Sequence, residues 1–213
     1  MPFSDQARIS ELVVGGGAQN WASIGITFDV DNRAALGDVV LYLDTSKAPG
    51  LHSWVLNGAD TSVGSIDGVT TSHEVGASPA VKAVDSVFDL GVIGVDHVVI
   101  NTPDLMRTSE ALTQATGAPL KRVRDAGNKV EQGFHRLGSV IVEIVSAPSM
   151  SAGAASLWGF VLNVKDIDAV ANFVGPDVLN TPKPAVQSGK LIATFRSSLG
   201  LGVPVALMGQ ITN

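Results

Sequence analysis

The sequence has no cysteine. That excludes disulfides, a thiol nucleophile and a thiolate metal site in one step. Charge is also scarce, since Asp, Glu, Lys and Arg make up 16% of the 213 residues against 45% hydrophobic residues. A chain so balanced, long enough for one large domain or two modest ones, buries its sheets on both sides rather than staying solvated. Basic residues are too few and too scattered to track phosphates: 14 Lys and Arg stand against 20 Asp and Glu, a net charge of −6. Nucleic acid is therefore not an expected partner. No apolar run reaches the ~18 residues that a membrane span requires. The opening stretch, MPFSDQARISEL, lacks the basic region and apolar core of a secretory signal. A cytoplasmic protein with no membrane partner is the expectation. Several catalytic signatures are missing too: there is no G-x-S-x-G elbow and no H-E-x-x-H. Gly15-Gly16-Gly17 lacks the spacing and the Lys-Ser/Thr of a phosphate loop.

What is present is organised around Gly94–Pro148. Val95–Asn101 is a β-branched run suited to a buried strand. Thr102-Pro103-Asp104 then signals a helix start, with a capping hydroxyl, a proline tolerated in the first turn and an acid favoured by the helix dipole. Leu105, Thr108, Ala111, Leu112 and Ala115 follow at helical spacing, and Gly117 is placed to end the helix. Leu120–Arg124, Val130–Leu137 and Val140–Val145 are separated by turn signals and predict a meander. The unit reads βαβββ.

The last third repeats it. WGFVLNVKDI overlays DHVVINTPDL, pairing Asn163 with Asn101 and Asp166 with Asp104. A helix with Ile167, Val170 and Val174 on one face stops at Gly175. Pro182 and Pro184 confine any strand in Val178–Val186 to a short edge. Leu191–Arg196 and Val203–Met208 complete the unit. The first third is a fainter copy: a strand at Ile9–Val14, two helical turns at Ala18–Ile24, then strands at Ile26–Val30, Val39–Leu43 and His52–Leu56. LGDVVLYL at Leu36–Leu43 matches LGSVIVEI at Leu137–Ile144; an unrelated β-rich extension is the alternative. Residues 59–91, punctuated by Gly, Ser, Thr, Asp and Pro, read as a linker that carries a strand or packs over a surface, with a turn at Ile66-Asp67-Gly68. The expected organisation is a degenerate module at 1–58, the linker, and a domain at 92–213 made of modules 92–150 and 154–209.

The motifs DHVVINTPD and LGSVIVEIV, in this order and spacing, resemble the vicinal oxygen chelate superfamily, which includes glyoxalase I, extradiol dioxygenases and bleomycin-resistance proteins. The resemblance covers about residues 92–209. It implies an α+β fold in which paired βαβββ modules form a cup-shaped mixed sheet, here preceded by the degenerate third module. It also implies that His97 and Glu143 stand at metal-ligand positions for an ion such as Zn, Mn, Fe or Ni. Superfamily enzymes usually bring three or four protein ligands, whereas Gly159 and Leu207 (or Val205, in a shifted register) stand at the matching places of the second module. Glu11 is the candidate third ligand.

Strand alternation puts His97, Val99 and Asn101 on one face. Glu143 is a carboxylate in an apolar strand, costly there unless paired or bound to a cation. The ligand-binding candidates are His97, Asn101, Glu143, Asn163 and His135. His135 shares a face with Glu131 and Gly133, opposite Gln132 and Phe134, and the sequence leaves open which face is the cup. Arg122 and Arg124 read either as binders of an anionic substrate or as a solvated edge. Trp21, Trp54 and Trp158 read as packing residues. Two functions follow: a glyoxalase-like protein that binds a small molecule in a cup with a degenerate or metal-free site, or a divalent-metal enzyme of lyase or dioxygenase type using His97 and Glu143. An odd number of modules leaves an apolar sheet face to cover, so a two-fold homodimer is expected. Packing of that face through the linker is the competing solution.

Overall fold

A computed structural model describes residues 7–74, 81–82 and 88–211. The first part of the chain forms β1 (Arg8–Gly15), α1 (Ala18–Ala22), β2 (Arg33–Leu36), β3 (Val39–Asp44), β4 (Gly50–Asn57), β5 (Ser65–Ile66) and β6 (Val69–Glu74). Then come β7 (Val92–Thr102), α2 (Leu105–Thr116), β8 (Arg122–Asp125), β9 (Glu131–Leu137) and β10 (Val140–Ser146). The last module holds β11 (Ser156–Val164), α3 (Ile167–Val174), β12 (Lys183–Pro184), β13 (Lys190–Thr194) and β14 (Val205–Gln210). The fold is α+β with two βαβββ modules, as the periodicity requires. The element expected within Ser78–Phe88 lies largely outside the described residues. Among the described residues, no helix is long and apolar enough to cross a membrane.

The chain divides into two compact units, each assembled from three stretches. The first comprises Met1–Leu12, His52–Pro79 and His97–Gly159. Here β7, β10, β9 and β8 are neighbours in that order, with β10 parallel to β7 and the other pairs antiparallel. Asp104 caps α2, its carboxylate accepting the Arg107 N–H at 3.0 Å, while Gly117 ends the helix with φ 72°. That left-handed turn is open to glycine without strain. The helix covers the face of Val98, Ile100, Val142 and Ile144, all fully buried with Leu112. At Gly133 the approach is so close that a Cβ would stand 3.1 Å from Leu105 Cδ2.

The 59–91 stretch also contributes to this unit. β4 runs parallel to β6, with Trp54 opposite Thr71 and its indole N–H donating to the Thr71 hydroxyl at 2.8 Å. β5 pairs antiparallel to β6. This is the first-with-last strand pairing of β7 and β10, repeated without a helix. The β5–β6 turn rests on α2: the Arg107 guanidinium meets Asp67 Oδ1 at 2.8 Å, and the Thr108 hydroxyl donates to Asp67 Oδ2. Asp67 O accepts the Ala155 N–H at 2.8 Å, and the Asp60 N–H donates to Ala115 O at 2.9 Å. Trp158 departs from expectation; the residue is 50% exposed rather than packed.

The second unit comprises Val13–Leu51, Ala80–Asp96 and Phe160–Asn213. In it β11, β14, β13 and β12 follow one another, β14 parallel to β11 and antiparallel to β13. Asp166 caps α3 with φ −144° and ψ 98°, close to the −141° and 100° of Asp104, so the two helix starts are the same local structure. The proline-limited strand β12 is two residues long. β2 and β3 form an antiparallel pair. The strand expected at Ile26–Val30 is absent. Asp29 Oδ1 instead accepts the N–H groups of Asp31 and Arg33, each at 2.9 Å, and Asn32 takes φ 59°. A short carboxylate that bonds its own backbone competes with a sheet ladder, and here it wins.

Candidate functional site

The register of the first unit sets out the site. Glu143 stands opposite Val99 on one side and Phe134 on the other; Phe134 in turn stands opposite Arg122. His97 and Asn101 share the face of Val99, two residues to either side. This face is the one turned away from α2.

Four of its side chains are joined end to end. His97 Nε2 lies 3.5 Å from Glu143 Oε2, and both side chains are 14% exposed. Gln132 Nε2 donates to Glu143 Oε1 at 2.5 Å. The Arg124 guanidinium donates through Nη2 to Gln132 Oε1. The amide is thereby oriented, NH2 toward the carboxylate and oxygen toward the cation. Beside this chain the Arg122 guanidinium lies over the Phe134 ring, 4.8 Å from its centroid. A carboxylate held against an imidazole fixes the orientation of the ring, and together the two present a hydrogen-bonding and acid–base pair to a ligand. Both groups are partly accessible, which a ligand needs.

The metal that the superfamily resemblance implies does not fit these residues. His97 and Glu143 supply two donors, and both carboxylate oxygens are already engaged. The neighbouring amide has its oxygen turned to Arg124. Among the described residues no group of three His, Asp and Glu side chains gathers, so Glu11, on β1, does not complete a ligand set with them. A hard or borderline divalent ion wants more convergent donors than this face offers.

His135 is not on the site face. It stands opposite Val142, on the side packed by α2, and is 1% exposed. Its Nδ1–H donates to Ala118 O at 3.1 Å, and the Ser109 hydroxyl lies 2.9 Å from Nε2. Burial pushes its pKa below the ordinary histidine value, with the Ala118 hydrogen bond opposing in part. It is a core histidine with both nitrogens satisfied, and the ligand role is withdrawn.

Asn163 belongs to a second polar group. Its Nδ2 donates to Asp96 Oδ1 at 3.0 Å, where Lys190 Nζ also binds at 3.1 Å, while Gln187 Nε2 reaches Asp96 Oδ2 at 3.1 Å. The buried Asp96 carboxylate is thus surrounded by donors. In the second module the register also corrects the alignment. Val161 matches Val99 and pairs with Ala206, so Ala206, rather than Leu207 or Val205, is the counterpart of Glu143. By the same pairing Ile192 stands for Gln132 and Thr194 for Phe134. Val161, Ala206 and Met208, with Ile192 and Ala185, make this face an apolar cluster.

Gln132 and Asp96 were not singled out by the sequence. Asp96 had a signal, an acid directly before His97 in an otherwise apolar strand; Gln132 had none without the strand register.

The parallel β7–β10 and β11–β14 pairs each lie inside a βαβββ module, the topology expected from the two motifs. No protein-family model matches the chain, and no curated protein matches it in sequence. Among solved structures it is similar to methylmalonyl-CoA epimerase from Mycobacterium tuberculosis, at 17% identity and TM-score 0.47, over 57% of this chain and 91% of that one. A methylmalonyl-CoA epimerase determined as the selenomethionine protein gives 22% identity and TM-score 0.47, over 59% and 99%. Hypothetical protein BH1468 from Bacillus halodurans C-125 gives 16% identity and TM-score 0.46, over 56% and 95%.

Proposed function

We propose that this protein binds a small molecule on the His97–Glu143 face of the β7–β10–β9–β8 sheet, without a tightly held metal. One observation carries the proposal: Glu143 is engaged on both oxygens by His97 and Gln132, yet remains partly accessible on an otherwise half-buried face. A carboxylate kept in so apolar a strand is costly, and its contacts with His97 and Gln132 offset that cost. The dyad supplies one hydrogen-bonding and proton-handling point; Val99, Val145 and Phe134 supply apolar contact around it. A ligand with a carbonyl group suits this pair, its oxygen or adjacent proton facing the imidazole.

The test is a thermal-shift screen of small carbonyl, aromatic and carboxylate compounds on protein dialysed against chelator, with elemental analysis of the same sample. Compounds that raise the melting temperature of metal-free protein, and cease to do so in Glu143→Gln and His97→Ala, support the reading. A stoichiometric ion surviving dialysis, or ligand binding indifferent to both substitutions, overturns it.

A further inference from the structure

The site face has a sign. By strand alternation Glu143 is the one acid on that side of β8, β9 and β10, while Arg122 and Arg124 stand on the outer rows of the same side. Such a basic face on a chain of net charge −6 is a local inversion, the kind of field that concentrates anions. The Arg136 guanidinium turns away to the Ser139 carbonyl at 3.0 Å and takes no part.

Arg124 has an unmet donor. Its Nη2 is held by the Gln132 amide oxygen, while its Nε is buried with no hydrogen-bond partner. A stranded donor is expensive, and Nε with Nη2 form the edge of a guanidinium that matches a carboxylate with two parallel hydrogen bonds. Gln132 satisfies half of that edge. Phe134 lies in register between Arg122 and Glu143. Its side chain fills the row between them and is only half-buried, so a ligand's flat body would rest on the part of the ring left accessible.

We infer that the ligand is a small flat carboxylate, its carboxylate group on the Nε–Nη2 edge of Arg124 and its body against Phe134, pointing toward the His97–Glu143 pair. The inference rests on the binding site proposed above and names its ligand class. The carboxylate enters where the Gln132 amide oxygen now sits, and Gln132 keeps its bond to Glu143. Arg122, pinned over Phe134, adds charge without a fork of its own.

Benzoate and benzamide make the matched probes, titrated into the full chain and followed by amide chemical shifts. Benzoate should bind at least about tenfold more tightly than benzamide, as a charge-assisted pair requires. Its shifts should centre on Val99, Phe134 and Glu143. Raising the salt should weaken benzoate only. Arg124→Gln should abolish the preference, and Arg124→Lys should restore part of it, since the charge returns without the fork. Should Arg124→Gln fail to melt cooperatively, the salt dependence and Arg122→Gln decide, the latter reducing the preference by a smaller factor. Equal binding of the two probes, a preference untouched by the arginine variants, or binding of neither probe overturns the carboxylate assignment. The site itself falls only if ligands from the screen also ignore His97→Ala and Glu143→Gln, so the two failures are distinguishable.

Discussion

Replacing His135 with Gln tests whether it is a core residue rather than a ligand residue, and the decisive variable is pH. The neutral ring satisfies its surroundings completely: Nδ1–H donates to the Ala118 carbonyl, and Nε2 accepts from the Ser109 hydroxyl. A proton on Nε2 would force that hydroxyl to turn, and would place a charge where 1% of the residue is exposed. Burial accordingly holds the pKa below the ordinary histidine value of 6.5. The unfolded chain then takes up a proton that the folded chain refuses. The stability contributed by the neutral ring is fully present above pH 6.5 and is lost as pH falls from there through the depressed folded value. If the folded ring stays neutral, the loss between about pH 8 and about pH 5 reaches at most ~2 kcal/mol. At the high end, His135→Gln should destabilise by ~1–3 kcal/mol, through imperfect replacement of two buried hydrogen bonds and ring packing. The gap between the two proteins should therefore narrow on acidification, by up to ~2 kcal/mol, or ~4–8 °C for a chain of this size. Urea denaturation of both proteins across that range measures it, and other titrating groups cancel in the difference. A gap that stays constant with pH would refute the argument. So would a variant that loses ligand binding while keeping its stability.

Two further outcomes test the packing around α2. Asp67→Ala removes the acceptor for Arg107 and Thr108, and should cost ~2 kcal/mol after allowance for the exposed arginine; a double-mutant cycle with Arg107→Ala should show coupling of at least ~0.5 kcal/mol. Gly133→Ala would set a methyl group against Leu105 and Leu120, both within 3.3 Å of the new Cβ. It should destabilise by ~1–3 kcal/mol, read from the urea midpoint at unchanged slope.

The central module was legible because each local signal agreed with the next: a β-branched run, an Asp cap, a helical stripe and a glycine stop. The face shared by His97 and Asn101 followed from alternation alone. Other features had no such signal. β14 is buried on both faces from Val205 to Gly209, so its sequence carries no alternation, and the counterpart of Glu143 was misplaced by one residue. The face of His135 depended on a register that only the pairing of β9 with β10 supplies. β5 and β6 are short, polar and surrounded by turn residues, so they were read into a linker. With β4 they form a three-stranded group whose first and last strands pair in parallel. The strand expected at Ile26–Val30 failed because propensity ignores what a neighbouring carboxylate does to the backbone.

The hold of Asp67 on α2 bears on how the repeats inherit their independence. A module whose helix is finished by its own strands can be copied, shuffled or excised as a unit. Here the first turn of α2 is completed by a hairpin that lies some forty residues earlier in the chain. Thr108 is fully buried, and its hydroxyl also meets Thr102 Oγ1 at 2.7 Å, two residues before the cap. Opening of the β5–β6 hairpin therefore unsettles the start of the helix that backs the site, and the two should exchange their amide hydrogens as one cooperative block. A chain cut anywhere after Glu74 would leave the ligand-bearing module without the carboxylate that holds the first turn of its helix.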